Sequence, residues 1–373
     1  MKRLALLTAL LAAASGNGLA AMDQKAIEQG LQTHDRALHI KDGWMRDPYI
    51  VLAPDGYYYL TGTTPLPEDE RQTADKHNTG LGPQSIVGYK MQLWRSTDLI
   101  HWQYLGAPYS LLDGIWPQAR PQRFEQVPKS DWRLWAPELH RIDNRWVIVH
   151  TSPSPVRGAN LSTTQGDALE GPFANPMGPA IARRHDPSLF VDDRTVWIIW
   201  GATQIAPLKP DLSALAGEAT RIGPANRKMG HEGCLIRKIG NKYVLFGTGW
   251  STDKMRHGTY NLYYCTADKV TGPYGPRQFA GRYLGHGTPF QDKQKRWWCT
   301  AFFNANVPPL SRAETKTKDM SDNAYTINPQ GVTIVPLDVK IHPDATIHIR
   351  AKDPDYAYPG PEETQPFNLT SPL

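Results

Sequence analysis

Five stretches of the chain repeat one pattern, and that repetition constrains the fold more than any other feature. They are "RDPYIVLAPDGYYYLTGTT" from Arg46, "LWAPELHRIDNRWVIVHTSP" from Leu134, "HDPSLFVDDRTVWIIWGAT" from His185, "HEGCLIRKIGNKYVLFGTGW" from His231 and "GHGTPFQDKQKRWWCTAFFN" from Gly285. Each starts with a small or polar residue near Pro or Gly, runs through a short apolar strand, turns on polar residues such as "APDG" or "RIDN", and returns as an aromatic-rich strand. That unit is a β-hairpin. From the second to the fifth, the hairpins start about fifty residues apart, which leaves room for an outer hairpin in each unit. Remnants of the outer pair stand at 93–106, 160–173 and 262–274. Four strands per unit and five units predict an all-β, five-bladed β-propeller rather than a sandwich, which has no need of five similar units.

A propeller makes a further demand on these positions. The first strand of each blade begins near one mouth of the central channel and the second returns to the same face. Asp47, Asp186 and Glu232, at the starts of innermost strands, therefore converge on one pocket, and Thr63, Gln204, Trp250 and Asn304 ring it. The proline after Asp47 and Asp186 ends the incoming connection and aims the carboxylate from a rigid scaffold.

The flanks read differently. "MKRLALLTALLAAASGNGLAA" has two basic residues, an apolar run and small residues before Ala20 and Ala21, the pattern of a signal peptide over 1–21 that is too short for a membrane span. The expected product is exported, periplasmic or extracellular. Residues 22–40, with Ile27, Leu31 and Leu38, predict a short amphipathic helix ahead of a catalytic domain over 41–350, and 351–373 form an extended, Pro-rich tail. The formal charge falls from +5 to +3 once Lys2 and Arg3 leave. No block of Lys and Arg suggests nucleic acid as a partner, and no later apolar run spans a membrane. The three cysteines, Cys234, Cys265 and Cys299, lie in strand-like runs and are expected as buried free thiols. Twelve Trp and sixteen Tyr beside a mean hydropathy of −0.50 suit a protein that handles sugars, whose C–H faces pack on flat rings.

On its "RDP", "WAPE", "HDPSLF", "HEG" and "GHGTPF" segments, in that order over roughly residues 40–310, the chain resembles glycoside hydrolase family 43 and its clan relatives, five-bladed propellers acting on plant and algal polysaccharides. The resemblance implies that Asp47 is the general base, Asp186 the aspartate that orients the acid and adjusts its pKa, and Glu232 the general acid. It also implies that His286 holds a central water or the hydration shell of a calcium ion, although the chemistry requires no cofactor. Inverting hydrolysis needs one protonated carboxyl for the leaving oxygen and one ionised carboxylate for the water on the opposite face. A third carboxylate would raise the acid's pKa by like-charge repulsion.

The expected substrate is an oligosaccharide or polysaccharide, contacted by Arg46, His185, Gln204, His231, Trp250 and Asn304. Here Arg46, His185 and His231 directly precede the three acids, with Arg183, Arg184, Arg227 and Lys228 nearby in sequence. Strand alternation would turn such neighbours away as structural groups; the other reading is a pocket for an acidic or sulfated sugar. Long connections at 65–85 and 106–133 fall on the pocket face and predict a closed pocket and exo action. The leading expectation is an exported, inverting, exo-acting glycosidase releasing arabinofuranosyl, xylosyl or galactosyl units. An anhydrogalactosidase-type enzyme on agar-like or acidic oligosaccharides and a non-catalytic sugar-binding propeller are the alternatives; three carboxylates at blade starts argue against the last.

Overall fold

A computed structural model describes residues 23–74, 85–201 and 203–369; the expected signal peptide lies outside them. The strands form five antiparallel blades. The innermost strands of the first four are Arg46–Leu52, Arg133–Ile142, Ser188–Asp192 and Glu232–Ile239, each followed outward by three more. The fifth starts at Pro289–Gln291, continues through Trp297–Phe302 and Val332–Ile341, and is completed by the N-terminal strand Leu38–Lys41 and by Ile347–Ala351. The two ends of the propeller are thus sewn into one sheet, which removes the free edge that an open ring would expose.

Alternation along the strands puts one apolar row on each blade face, and every gap between neighbouring blades is filled by such rows. Tyr59, Leu139 and Ile148 pack between the first and second blades, and Val149, Leu189 and Ile198 between the second and third. Ile199, Ile236 and Leu245 fill the next gap, Phe246, Ala301 and Val335 the fourth, and Ile50, Leu60 and Trp298 the last. Each fully buried aliphatic or aromatic side chain here stabilises by about 1.5–3 kcal/mol. Cys234, Cys265 and Cys299 are buried and form no disulfide, as expected.

The flanks differ from expectation in their boundaries. The helix is confined to Gln24–Thr33, capped by Asp23, whose carboxylate accepts from the Lys25 and Ala26 amides. Leu38, expected in that helix, instead belongs to the fifth blade because its strand pairs with Val332–Ile334. Ala351, expected in the tail, ends the last strand; beyond it the tail lacks strands and helices as far as it is described, yet it clasps the fourth blade. Glu362 accepts from Arg282 at 3.0 Å and from Thr259 at 3.0 Å, and Phe367 stacks on Tyr263. No helix among the described residues is long and apolar enough to cross a membrane.

Candidate active site

All five innermost strands are entered through a residue with left-handed backbone: Asp47 (φ 48°), Ala136 (φ 44°), Asp186 (φ 43°), Gly233 (φ 65°) and His286 (φ 51°). Such a conformation is costly for a residue with a Cβ, and it breaks strand alternation, so two consecutive side chains can face the channel mouth. In four blades the residue ahead of this position is Arg46, Trp135, His185 or Glu232. The fourth blade is therefore out of phase with the first and third: glycine takes the left-handed place and the carboxylate comes one residue earlier. A Cβ on Gly233 would stand 3.0 Å from the His286 ring, so the site has no room for one.

Threonines at the ends of second strands fasten these entries. Thr63 donates to Asp47 Oδ2 at 2.7 Å and accepts from the Ala136 amide at 2.6 Å. Thr151 does the same across the next gap, donating to Asp186 Oδ1 at 3.0 Å and accepting from the Asp186 amide at 2.7 Å. Thr300 donates to the Pro48 carbonyl at 2.8 Å, which ties the fifth blade to the first.

The structure brings His185, Asp186 and Glu232 together, with ligating atoms within 4.8 Å of one another. His185 Nε2 is 3.3 Å from Asp186 Oδ2 and 3.5 Å from Glu232 Oε2. The Tyr260 hydroxyl donates to Glu232 Oε1 at 2.8 Å. Asp47 stands outside this cluster, paired with His286 Nδ1 at 3.2 Å.

These contacts divide the charges. The hydrogen bond to Glu232 raises the His185 pKa to about 9, against burial and helped by the charge of Asp186. Burial pushes the Asp186 carboxyl up, with His185 and His286 pulling the other way. Burial also acts upward on Glu232, but the His185 hydrogen bond, the charge of His286 and the Tyr260 hydroxyl outweigh it and hold the carboxyl well below the usual range. The raised pKa thus falls on Asp186 and not on Glu232, contrary to the like-charge expectation, because an imidazolium stands against Glu232. Burial lowers the His286 pKa, but Asp47, Asp186, Glu232 and Glu138 around it raise it on balance.

The remaining expected contacts are placed variously. Trp250 is buried, stacked on Tyr260 with centroids 4.6 Å apart, and the Arg256 guanidinium lies 5.8 Å from its ring centroid. Asn304 is buried and accepts from Arg256 at 3.2 Å. His231 accepts from the Trp250 amide at 3.3 Å. Gln204 opens the third strand of its blade, paired with Trp200 and Arg221. Thr151, Tyr260 and Arg256 were not anticipated. The recurrent Thr near the end of second strands ("GTT", "HTS", "GTG", "CTA") could have signalled Thr151; no comparable pattern marks Tyr260 or Arg256.

The sequence model of the family described as Glycosyl hydrolases family 43 matches residues 38–320, most of the chain and all three carboxylates. The chain belongs to glycoside hydrolase family 43. Among curated proteins, an alpha-L-arabinofuranosidase 43 of Humicola insolens is 27% identical over 165 residues, 41% of this chain and 27% of that relative's length. The fold is similar to a family 43 enzyme of Xanthomonas citri solved with xylotriose, with a TM-score of 0.57, 16% identity, and 88% of this chain and 98% of that one covered. It is also similar to an exo-1,5-alpha-L-arabinanase from a bovine ruminal metagenomic library, with a TM-score of 0.53, 17% identity, and 82% and 96% covered. The chain spans only 27% of the length of the curated relative it matches.

Proposed function

We propose that the protein is an exported, inverting, exo-acting glycoside hydrolase that releases terminal arabinofuranosyl, xylosyl or galactosyl-type units from plant or algal polysaccharide fragments. The observation that carries this reading is the split of the site into a lone carboxylate, Asp47, paired with His286, and a proton-holding cluster of His185, Asp186 and Glu232. Asp47, oriented by Thr63 and His286, takes a proton from water as the water oxygen attacks the anomeric carbon. The bond to the leaving oxygen breaks, and that oxygen takes a proton that His185 Nε2 passes through the Glu232 carboxylate facing it, so the acid's proton belongs to the cluster and not to one residue.

The connection before the second blade folds into short helices at Trp116–Ala119 and Pro121–Gln126, anchored by the Trp116 indole, which donates to the Ala159 carbonyl at 2.8 Å; long connections of this kind suit a closed pocket and exo action. The reaction needs no cofactor. A calcium ion held through water at His286 would supply the positive charge that the imidazolium already gives to Asp47; turnover surviving chelation checks this.

The deciding experiment follows the anomer of the first product by NMR in wild type, Asp47→Asn and Glu232→Gln. Inverted product, with each variant slowed by about 10²–10⁴-fold, is expected. Retained configuration, or a Glu232→Gln enzyme of wild-type rate, would overturn the mechanism; mainly internal fragments from a polymer would overturn exo action.

A further inference from the structure

Arg46 is 6% exposed, and its Nε and Nη1 have no hydrogen-bond partner among the described residues. Two buried guanidinium nitrogens without an acceptor are costly, and proteins keep them where something else supplies the acceptor. Its position says what that is. Arg46 occupies the place before the left-handed residue that His185 and Glu232 occupy in their blades, and it directly precedes Asp47.

A second cation stands close by: burial and the charge of Arg46 together lower the Arg256 pKa to about 10. Arg256 is held by Asn304 and Asn306 and lies near enough to Glu232 to feel its charge. On the neighbouring blade, Trp135 fills the equivalent place, and its indole Nε1 is likewise buried without an acceptor. An indole can only donate, and so can a guanidinium. Three orphan donor atoms at the entries of the first two blades, with the Arg256 cation approaching Arg46 from the fourth blade, describe a receptor for a group that only accepts.

We propose that the terminal sugar carries an anionic group, a carboxylate or a sulfate ester, received by Arg46 and the Trp135 indole with Arg256 beside them. This rests on the glycosidase reading above and adds the substrate class. The rim agrees with it. A cavity of about 500 Å³ is lined by Arg120, Arg157 and Arg183 with no carboxylate among its described lining residues, and Arg157 is close enough to His185 to act on its charge. Other cations suggested by the sequence are already engaged: Arg184 donates to the Ala180 and Ile181 carbonyls, and Arg227 pairs with Asp253.

The test is calorimetric binding to the Glu232→Gln protein of three matched probes, D-galactose, D-galacturonate and D-galactose 6-sulfate, with D-glucose and D-glucuronate as a second series. At least one anionic probe is expected to bind about 10–100-fold more tightly than its neutral partner, an advantage that falls with added salt. Which anion wins separates uronate from sulfate. Arg46→Met in the same background erases the advantage and, by removing an unpaired buried charge, raises the melting temperature of the free protein. Equal affinities, no binding by any anionic probe, an advantage that survives Arg46→Met, or a lower melting temperature in that variant overturns the proposal. Wild-type hydrolysis by Glu232→Gln would instead overturn the glycosidase mechanism, independently of the binding result.

Discussion

His185→Asn removes the group that distinguishes this acid cluster from a plain pair of carboxylates. The imidazole is raised from its ordinary 6.5 to about 9, chiefly by its hydrogen bond to Glu232. That shift corresponds to about 3 kcal/mol at 1.36 kcal/mol for each pH unit. The side chain is 41% exposed, so solvent screening reduces the figure to about 1–2 kcal/mol. Because the folded pKa lies above the unfolded one, this stabilisation is fully present below about pH 6.5 and disappears as pH rises through 9. The variant is therefore less stable than wild type by about 1–2 kcal/mol at pH 6 and equal to it above pH 10, measured by urea unfolding. The same proton sets the alkaline limb of kcat/KM. Wild type keeps its activity until about pH 9, whereas two buried carboxylates sharing a proton without the imidazolium lose it below about pH 7. A variant whose limb stays near pH 9, or a wild type that fails below pH 7, would refute the assignment of the proton to His185.

Thr151→Val leaves the Asp186 amide and one carboxylate oxygen unpaired in the interior, so we expect a loss of about 2–4 kcal/mol in denaturant unfolding together with reduced kcat. Glu362→Ala strands Arg282 in the core and should cost about 3–5 kcal/mol, read as a lowered midpoint, while a Glu362→Gln change should cost less. His150 is fully buried, accepts from or donates to Tyr109 at 3.2 Å, and burial lowers its pKa to about 4. The unfolded chain binds the proton first, so about 3 kcal/mol of stability is lost as pH falls from 6.5 to 4, and His150→Gln should flatten that slope in acid unfolding.

Much of this was readable in advance because hairpins write themselves locally. The turns "APDG" and "DDRT" and the period-two apolar strands identify the blades, and the carboxylates at their entries follow from blade geometry. The third blade's outer strands, Gln204–Pro207 and Thr220–Arg221, escaped because Pro-rich connections separate them. The fifth blade's closure by Leu38–Lys41 joins segments nearly three hundred residues apart, and no local pattern records a pairing at that range. The charges around the acids were the least readable. Strand alternation argues that Arg46 and His185 face away, and only the left-handed backbone at Asp47 and Asp186 cancels that argument.

The same backbone feature explains why Glu232 rather than an aspartate serves the fourth blade. With Gly233 in the left-handed position and the His286 ring against it, a side chain there would push the ring off Asp47. The carboxylate must then come from the preceding residue, one step earlier in the chain and farther from the channel entry that Gly233 occupies. Glutamate has one methylene more than aspartate, and that added reach brings its Oε2 to His185 and its Oε1 to Tyr260. A Glu232→Asp variant with Gly233 retained would keep the charge and lose the reach. The offset between the blades is thus tied to the separation of the two sides of the site: His286 fills the space between blade entries and holds Asp47, leaving Glu232 to the His185 cluster on the other side.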